Sequence, residues 1–258
     1  MLRPVKNQQR GEIAVCGLEA VKALAEARPG EVERLFFTED RSKEFGRLAS
    51  ALAKARRPYR VVAPEELERL SGTVHHQGVV AMVRDAGLAK VDDSLVERWA
   101  AAGARVAVLD RVGDDHNLGS IARSAAFFGF AAIVLSERDG AARLSTSSYR
   151  VARGALERVA VYADESAARF LRRCEGRIPS VGADHRAKDE LRSLGDWPGA
   201  GGPAAVVLGN EETGLEPDTR AACSRLVRID GAGLVESLNV AQAAAVFLYA
   251  LAPRRPKG

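Results

Sequence analysis

The sequence predicts an α/β protein in two parts, a small α/β domain followed by a larger domain built on a parallel sheet. Three observations predict this class. From Arg105 onward the strands RVAVLD, AAIVLS, RIPSVGA and PAAVVLG are apolar throughout and separated by helical stretches, the pattern of a parallel sheet covered on both faces. From about Ile13 to Met82, shorter strands alternate with amphipathic helices. Residues 85–103 between them are richer in charge and alanine. A chain of 258 residues is long enough for both domains to bury a core.

The elements follow in order. Residues 1–12 read as a basic arm, opening MLRPVKNQQR, and residues 13–84 as the first domain. That domain is expected to hold a helix over Gly17–Ala27, a strand over Val32–Phe37, a helix over Ser42–Ala55 and a strand over Tyr59–Val62. A short helix over Pro64–Leu70 and a strand over Gly78–Val83 complete it. Pro64 at a first helical turn and Gly30 after a helix end sit where helix boundaries place them. Residues 85–103 read as a linker with a short helix, and residues 104–258 as the second domain. Ligands of parallel sheets bind in loops at the carboxyl ends of the strands, so chemistry is expected just after Asp110, Ser136 and Gly209. The apolar run Ala243–Ala252 is too short to span a bilayer and reads as a buried C-terminal helix.

Composition excludes several function classes. Hydrophobic residues make up 47% of the chain and charged residues 28%, values of an ordered globular protein. Residues 1–90 carry 16 basic and 12 acidic side chains, whereas residues 91–258 carry 22 of each. The basic excess therefore lies in the first part, where it suits a phosphate backbone; a solvated basic surface explains so small an excess equally well. Cys16, Cys174 and Cys223 are odd in number and have no CxxC spacing, so neither a disulfide framework nor a structural zinc site is expected. Reduced thiols and the lack of a signal-peptide h-region point to the cytoplasm. His75, His76, His116 and His185 have no metal-ligand spacing. The absence of a GxSxG elbow argues against hydrolase chemistry.

Three clusters carry chemistry. The first, Asn117 to Gly129, follows the loop GDDH, and Asn117 occupies an expected N-cap. Arg123 lies inside the next helix among Gly119, Ser120, Ala126 and Phe127, small or apolar neighbours that leave room for a ligand beside its guanidinium. An arginine snorkelling to water is the alternative. The second cluster, Leu208-Gly209-Asn210-Glu211-Glu212-Thr213-Gly214-Leu215, follows an apolar strand. It matches neither GxGxxG nor GxxxxGK[ST]. Its paired carboxylates suit a cationic or hydroxyl-rich ligand, and an acidic turn before the helix from Pro217 is the plain alternative. In the third cluster, from Ile229 to Val240, two glycines loosen a loop. Ser237 is the expected cap of the C-terminal helix, and helix starts bind anions readily.

In this order the clusters resemble the SpoU (TrmH) family of RNA 2′-O-ribose methyltransferases, within the SPOUT superfamily. N-x-G-x-x-x-R-[ST]-A-x-x-x-G is matched by Asn117, Gly119, Arg123, Ser124, Ala125 and Gly129. G-x-E-x-x-G-L is matched by Gly209, Glu211, Gly214 and Leu215, and S-L-N-V by Ser237 to Val240. Gly154-Ala155 stands where the family commonly has a GA pair. His75-His-Gln77-Gly78-Val-Val-Ala81 is similar to the HQG-x-x-A that closes the family's ribosomal-protein-like substrate-binding domain. Ala241-Gln242-Ala243 after SLNV and Gly-Asp-Asp-His after Val112 depart from common family residues.

The resemblance implies a methyltransferase domain knotted as a trefoil, a homodimer, and sites completed by the partner chain. It implies S-adenosylmethionine as methyl donor, no metal, and transfer RNA or ribosomal RNA as substrate. It also implies that Leu208, Gly209, Asn210, Gly214, Ile229 and Leu238 hold the cofactor. Arg123, Asn117, Glu211, Ser237 and Asn239 are carried over as the catalytic set. Arginine is protonated at neutral pH, so Arg123 is expected to hold a target phosphate and the 2′-oxygen together while the phosphate receives the proton. Two other readings remain: an inactive RNA-binding or ribosome-assembly factor on the same fold, and a nucleotide-dependent oxidoreductase on an open sheet.

Overall fold

The structure is a computed structural model that describes residues 11–137, 141–195, 197 and 201–252. Two compact units emerge. One comprises residues up to Gly87 together with Arg143–Arg158, the other Leu88–Ala142 and the chain from Val159 onward. The expected arm lies outside the described residues except at its end, where Glu12 already begins a strand.

In the first unit, β1 (Glu12–Cys16), β2 (Val32–Phe37), β3 (Tyr59–Val61) and β4 (Val79–Arg84) form one sheet in the order β1-β4-β2-β3. β4 is antiparallel to β1 and β2, while β3 runs parallel to β2 at the edge. Helices α1 (Leu18–Ala27), α2 (Ser42–Lys54) and α3 (Pro64–Ser71) accompany the sheet. Cys16, Phe36, Leu67, Val80 and Met82 share one buried cluster. Sequence reasoning missed β1, whose five residues are too few for alternation to stand out beside the longer helix that follows.

The second unit opens with α4 (Asp93–Ala101). From Leu88 onward the stretch read as a linker thus belongs to the second unit, and the short helix expected in it is α4. Asp92 caps it, accepting from the Leu95 amide at 2.8 Å, and Leu95, Val96 and Trp99 bury among Val106, Val108 and Phe170. Seven strands follow in one sheet: β5 (Arg105–Asp110), β6 (Ala132–Ser136), β7 (Ala160–Asp164), β8 (Ser180–Ala183), β9 (Asp189–Glu190), β10 (Ala204–Gly209) and β11 (Arg225–Arg228). Their order is β7-β6-β5-β10-β8-β11-β9, and every pairing is parallel. From β5 the chain first builds outward through β6 and β7, then crosses to the other side. The order therefore reverses between β5 and β10, where Asp110 lies beside Gly209. Open sheets bind ligands at such a switch point.

Helices α5 (Asp115–Phe128), α7 (Ala167–Cys174), α8 (Pro217–Ala222) and α9 (Val240–Ala250) complete the second unit, while α6 (Thr146–Ala152) belongs to the first. The C-terminal helix is buried on one side only. Ala244, Phe247 and Leu248 are covered, but Val246 and Tyr249 are exposed, with Phe127 of α5 76% exposed. An apolar run longer than one helical face must put some of its residues outside. No helix of the described residues is long and apolar enough to cross a membrane.

Candidate active site

Four loops at the carboxyl ends of β5, β8, β10 and β11 build the site. After β5, buried Asp110 accepts the Glu216 amide at 2.9 Å. Arg111 follows with φ +59°, a left-handed conformation uncommon for a side-chain-bearing residue. Its carbonyl accepts from Asn210 Nδ2 at 2.9 Å, and its guanidinium pairs with Glu216. These bonds hold the chain in that turn.

Helix α5 begins earlier than the sequence indicates. Asp114, not Asn117, is its N-cap and accepts the His116 amide at 2.7 Å. Two adjacent aspartates before the histidine supply a better-placed cap, so Asn117 falls inside the first turn with its side chain free to reach across. Asn117 Nδ2 donates to Glu211 Oε1 at 2.5 Å, and Asn117 Oδ1 accepts from Asn239 Nδ2 at 3.2 Å. One side chain from each of the three clusters therefore meets in a single chain of hydrogen bonds.

The loop after β10 folds back on its own strand. Asn210 and Gly214 exchange backbone hydrogen bonds at 3.0 and 2.9 Å. Asn210 Oδ1 accepts from the amides of Glu212 and Thr213 at 3.0 and 3.1 Å. With Nδ2 bound to Arg111, the Asn210 amide is committed to shaping the loop, and what it leaves toward a ligand is backbone. Gly209 is required by the same fold-back: a Cβ there would lie 2.4 Å from the Gly214 carbonyl carbon.

After β11, every residue from Asp230 to Asn239 is exposed, including Leu234 at 90% and Val235 at 74%. Asn239, not Ser237, caps α9, accepting the Ala241 amide at 2.9 Å. The two asparagine side-chain ends thus serve cap and bridge at once, and Ser237 lies two residues too early to cap. The sequence reading had given the cap to Ser237.

The loops after β8, β10 and β11 line a cleft of about 580 Å³, within the usual size of small-molecule sites. All six residues expected to hold a cofactor line it, as do Glu211 and Ser237. Asn117 and Asn239 are tied to it through Glu211. Arg123 is not: it is exposed on α5, outside the cleft lining, and its side chain makes no hydrogen bond or ion pair with a described residue. Six residues at 3.6 per turn set Arg123 and Asn117 about 120° apart around the helix, so within one chain they face different sides. Small neighbours left this arginine open to solvent and did not enclose it.

Sequence reasoning missed the loop after β8. Asp184 and His185 line the cleft. Asp184 is buried and pairs with Arg220, and His185 Nε2 lies 3.7 Å from Glu236 on the opposite loop. The strand ending at Ala183 was legible, so the rule that points past strand ends reaches these residues too. Among the described residues, none of the loop after Ser136 lines the cleft; Glu137 pairs with Lys90, and residues 138–140 lie outside the described ones. Burial raises the thiols of Cys16, Cys174 and Cys223, to about 11, 12 and 12, so none is a ready nucleophile. Among the described residues no cluster of three or more His, Cys, Asp or Glu is placed to hold a metal.

Comparison with known proteins decides the family. A model described as SpoU rRNA Methylase family matches residues 104–249, and one described as RNA 2′-O ribose methyltransferase substrate binding matches residues 14–88. The chain belongs to the SpoU rRNA methylase family. It is 34% identical over 239 residues to the 23S rRNA (guanosine-2′-O-)-methyltransferase RlmB of Bordetella pertussis, covering 91% of this chain and 94% of that one. The enzyme of the same name from Acinetobacter baylyi is also 34% identical, over 90% and 94%. Among solved structures, the SpoU methyltransferase AviRb from Streptomyces viridochromogenes, in complex with AdoMet, superposes with a TM-score of 0.72 at 26% identity, covering 96% and 91%. An AdoMet-bound rRNA methyltransferase from Sinorhizobium meliloti has the same fold, with a TM-score of 0.76 at 20% identity over 95% and 88%. The second and third SpoU motifs thus coincide with two of the three loops that line the cleft, and the first, on α5, meets them through Asn117.

Proposed function

We propose that this protein methylates a ribose 2′-hydroxyl of ribosomal RNA, with S-adenosylmethionine as donor and a 23S guanosine as the first candidate target. The observation that carries the reading is the Glu211–Asn117–Asn239 bridge at the lip of the cleft. The cleft fits the donor in size and charge. Asp184, Glu211, Glu212, Asp230 and Glu236 line it against one arginine, Arg228, a surplus that favours a cationic ligand. When bound, S-adenosylmethionine supplies an electrophilic methyl group on its sulfonium. Exposed Leu234, Val235 and Leu238 offer apolar cover, and the backbone at Leu208, Gly209 and Ile229 offers close approach.

The ribose hydroxyl must lose a proton as it attacks. Arg123 holds a target phosphate and the 2′-oxygen together, and the phosphate receives the proton. Positioning of this kind lowers barriers by roughly 7–11 kcal/mol in favourable cases. Because Arg123 lies on a different side of α5 from Asn117, we assign it to the site of a partner chain. It lies four residues before exposed Phe127, on the face that carries Phe127, Val246 and Tyr249, and exposed apolar patches of this kind mark association surfaces. A homodimer through α5 and α9, working in the cytoplasm, is the assembly proposed. The family's trefoil knot is proposed for the segment after β11. Supporting it, the last helix returns to the middle of the sheet, where buried Arg105 of β5 donates to the Leu251 carbonyl at 2.9 Å.

Transfer of labelled methyl groups into ribosomal RNA, followed by mapping of the modified ribose, tests the reaction. Arg123→Ala and Asn239→Ala should each abolish transfer while cofactor binding survives. Mixing the two inactive proteins under exchange should restore activity through hybrid dimers that retain one intact site. An active Arg123→Ala protein refutes its role, and a mixture that stays inactive refutes the shared site.

A further inference from the structure

The first unit is more than residues 14–88, and the added piece changes its charge. Residues 143–158, within the stretch matched by the SpoU methylase model, fold into the first unit. Arg28 at the end of α1 reaches Glu157 with Nε at 2.7 Å and Nη2 at 2.9 Å, and Nη2 also donates to the Tyr149 hydroxyl at 3.0 Å. The Glu157 side chain is 2% exposed. A bidentate arginine–carboxylate pair of this geometry is among the stronger polar contacts. Gly154 makes the approach possible. At φ +89° it presses on α1 so closely that a Cβ would lie 2.8 Å from Ala23 Cβ and 3.0 Å from the Glu19 carbonyl oxygen. The family's GA pair has a physical reason here.

Charge gives this docking a function. Residues 11–87 are neutral, with 12 basic and 12 acidic side chains. The expected basic surplus of the first part sits instead at Arg3, Lys6, Arg10 and Lys90. Segment 143–158 adds four arginines and a single acidic residue, Glu157, which is buried against Arg28. The net positive charge of the described first unit therefore comes from this segment. The described residues of the second unit hold 15 basic and 19 acidic side chains. Arg143, Arg153 and Arg158 are exposed. Arg158 pairs with Glu26 at 2.6 Å, whereas the Arg153 side chain has no hydrogen bond or ion pair with a described residue. Arg153 sits at φ +49° between α6 and Gly154, on a turn whose position the Arg28–Glu157 pair sets.

We infer that residues 143–158 form an RNA-phosphate-binding element of the substrate unit, with Arg153 as its leading contact. The inference rests on the proposed RNA substrate. Deproteinised, unmethylated 23S ribosomal RNA is the probe, titrated over a range of salt concentrations and used in steady-state methyl transfer. Arg153→Gln should flatten the dependence of log affinity on log salt by about one phosphate contact, roughly 0.7–0.9 in slope. It should raise the RNA KM about three- to tenfold and leave kcat and the KM for S-adenosylmethionine unchanged. Arg98→Gln, which removes the same charge from α4 of the other unit, should leave all of these unchanged. An unaltered slope and KM in Arg153→Gln overturns the inference, as do equal losses in both variants. A wild-type protein that transfers no methyl group refutes the functional reading instead, and the binding titration still decides the role of Arg153.

Discussion

Two walls of the same cleft are built on opposite terms. The wall after β10, Asn210–Gly214, is tied by a reciprocal backbone pair, three side-chain acceptor bonds to Asn210 and the strut to Arg111. The wall after β11, Asp230–Asn239, is exposed along its length, and its ties concentrate at its ends and at the His185–Glu236 approach. One wall is preorganised and presents fixed backbone groups. The other presents apolar side chains to water until something covers them. Preorganised donors serve recognition because no ordering cost remains at binding, whereas an exposed apolar loop gains burial only when a ligand or partner arrives. The difference predicts that substitutions in the first wall damage the site itself, while those in the second change how firmly it closes.

The sharpest break is Gly209→Ala. The added methyl would meet the Gly214 carbonyl carbon at 2.4 Å and the Leu215 amide nitrogen at 2.5 Å, and neither backbone atom can yield without opening the loop. Cofactor binding should fall below detection and stability by about 1–3 kcal/mol, the usual range for overpacking. Calorimetric titration and thermal melting check both. Unchanged affinity in a folded Gly209→Ala protein would show that the fold-back is not what makes the binding surface.

Asn210→Ala comes next. It removes the acceptor for two loop amides and the donor to Arg111, leaving Arg111 in a left-handed turn with less to hold it. The loop amides are exposed, so water replaces part of what is lost, and about 1–2 kcal/mol is expected at typical values per bond. Methyl transfer should fall more than cofactor affinity, because Glu211 is carried on the same loop and loses its registration with Asn117. An Asn210→Ala protein with normal turnover would mean that the loop holds its shape through its backbone pair alone.

Legibility followed the same division. Strands β5, β6, β8 and β10 were readable because burial leaves a nearly uninterrupted apolar run, and the glycine loops because they interrupt it; β7, β9 and β11 were missed, being partly exposed or only two residues long. Caps were misread at both Asn117 and Ser237. Each lies near another residue able to cap, and the choice depends on which side chain is needed elsewhere, a tertiary fact. Asp184 and His185 were not assigned to the site, His185 having been weighed only for metal spacing, because their loop has no glycine or paired carboxylates to mark it. Folding of residues 143–158 into the first unit was beyond sequence reasoning: the Arg28–Glu157 pair spans 129 positions, and no periodicity links its halves. Gly154 was visible, but its reason was not.

The smallest expected effect belongs to the second wall. Leu234 and Val235 are exposed, so the double substitution Leu234→Ser, Val235→Ser removes no buried contact in this structure. Its melting temperature without ligand should stay within about 1–2 °C of the parent, as surface changes usually do. The same protein should bind S-adenosylmethionine about five- to thirtyfold more weakly, since covering two aliphatic side chains is worth up to about 1–2 kcal/mol once partial burial is allowed for. The two readouts must separate. If stability drops along with affinity, the loop is already packed in the free protein and the contrast between the walls fails. If neither changes, the loop takes no part in closure and the preorganised wall holds the ligand alone.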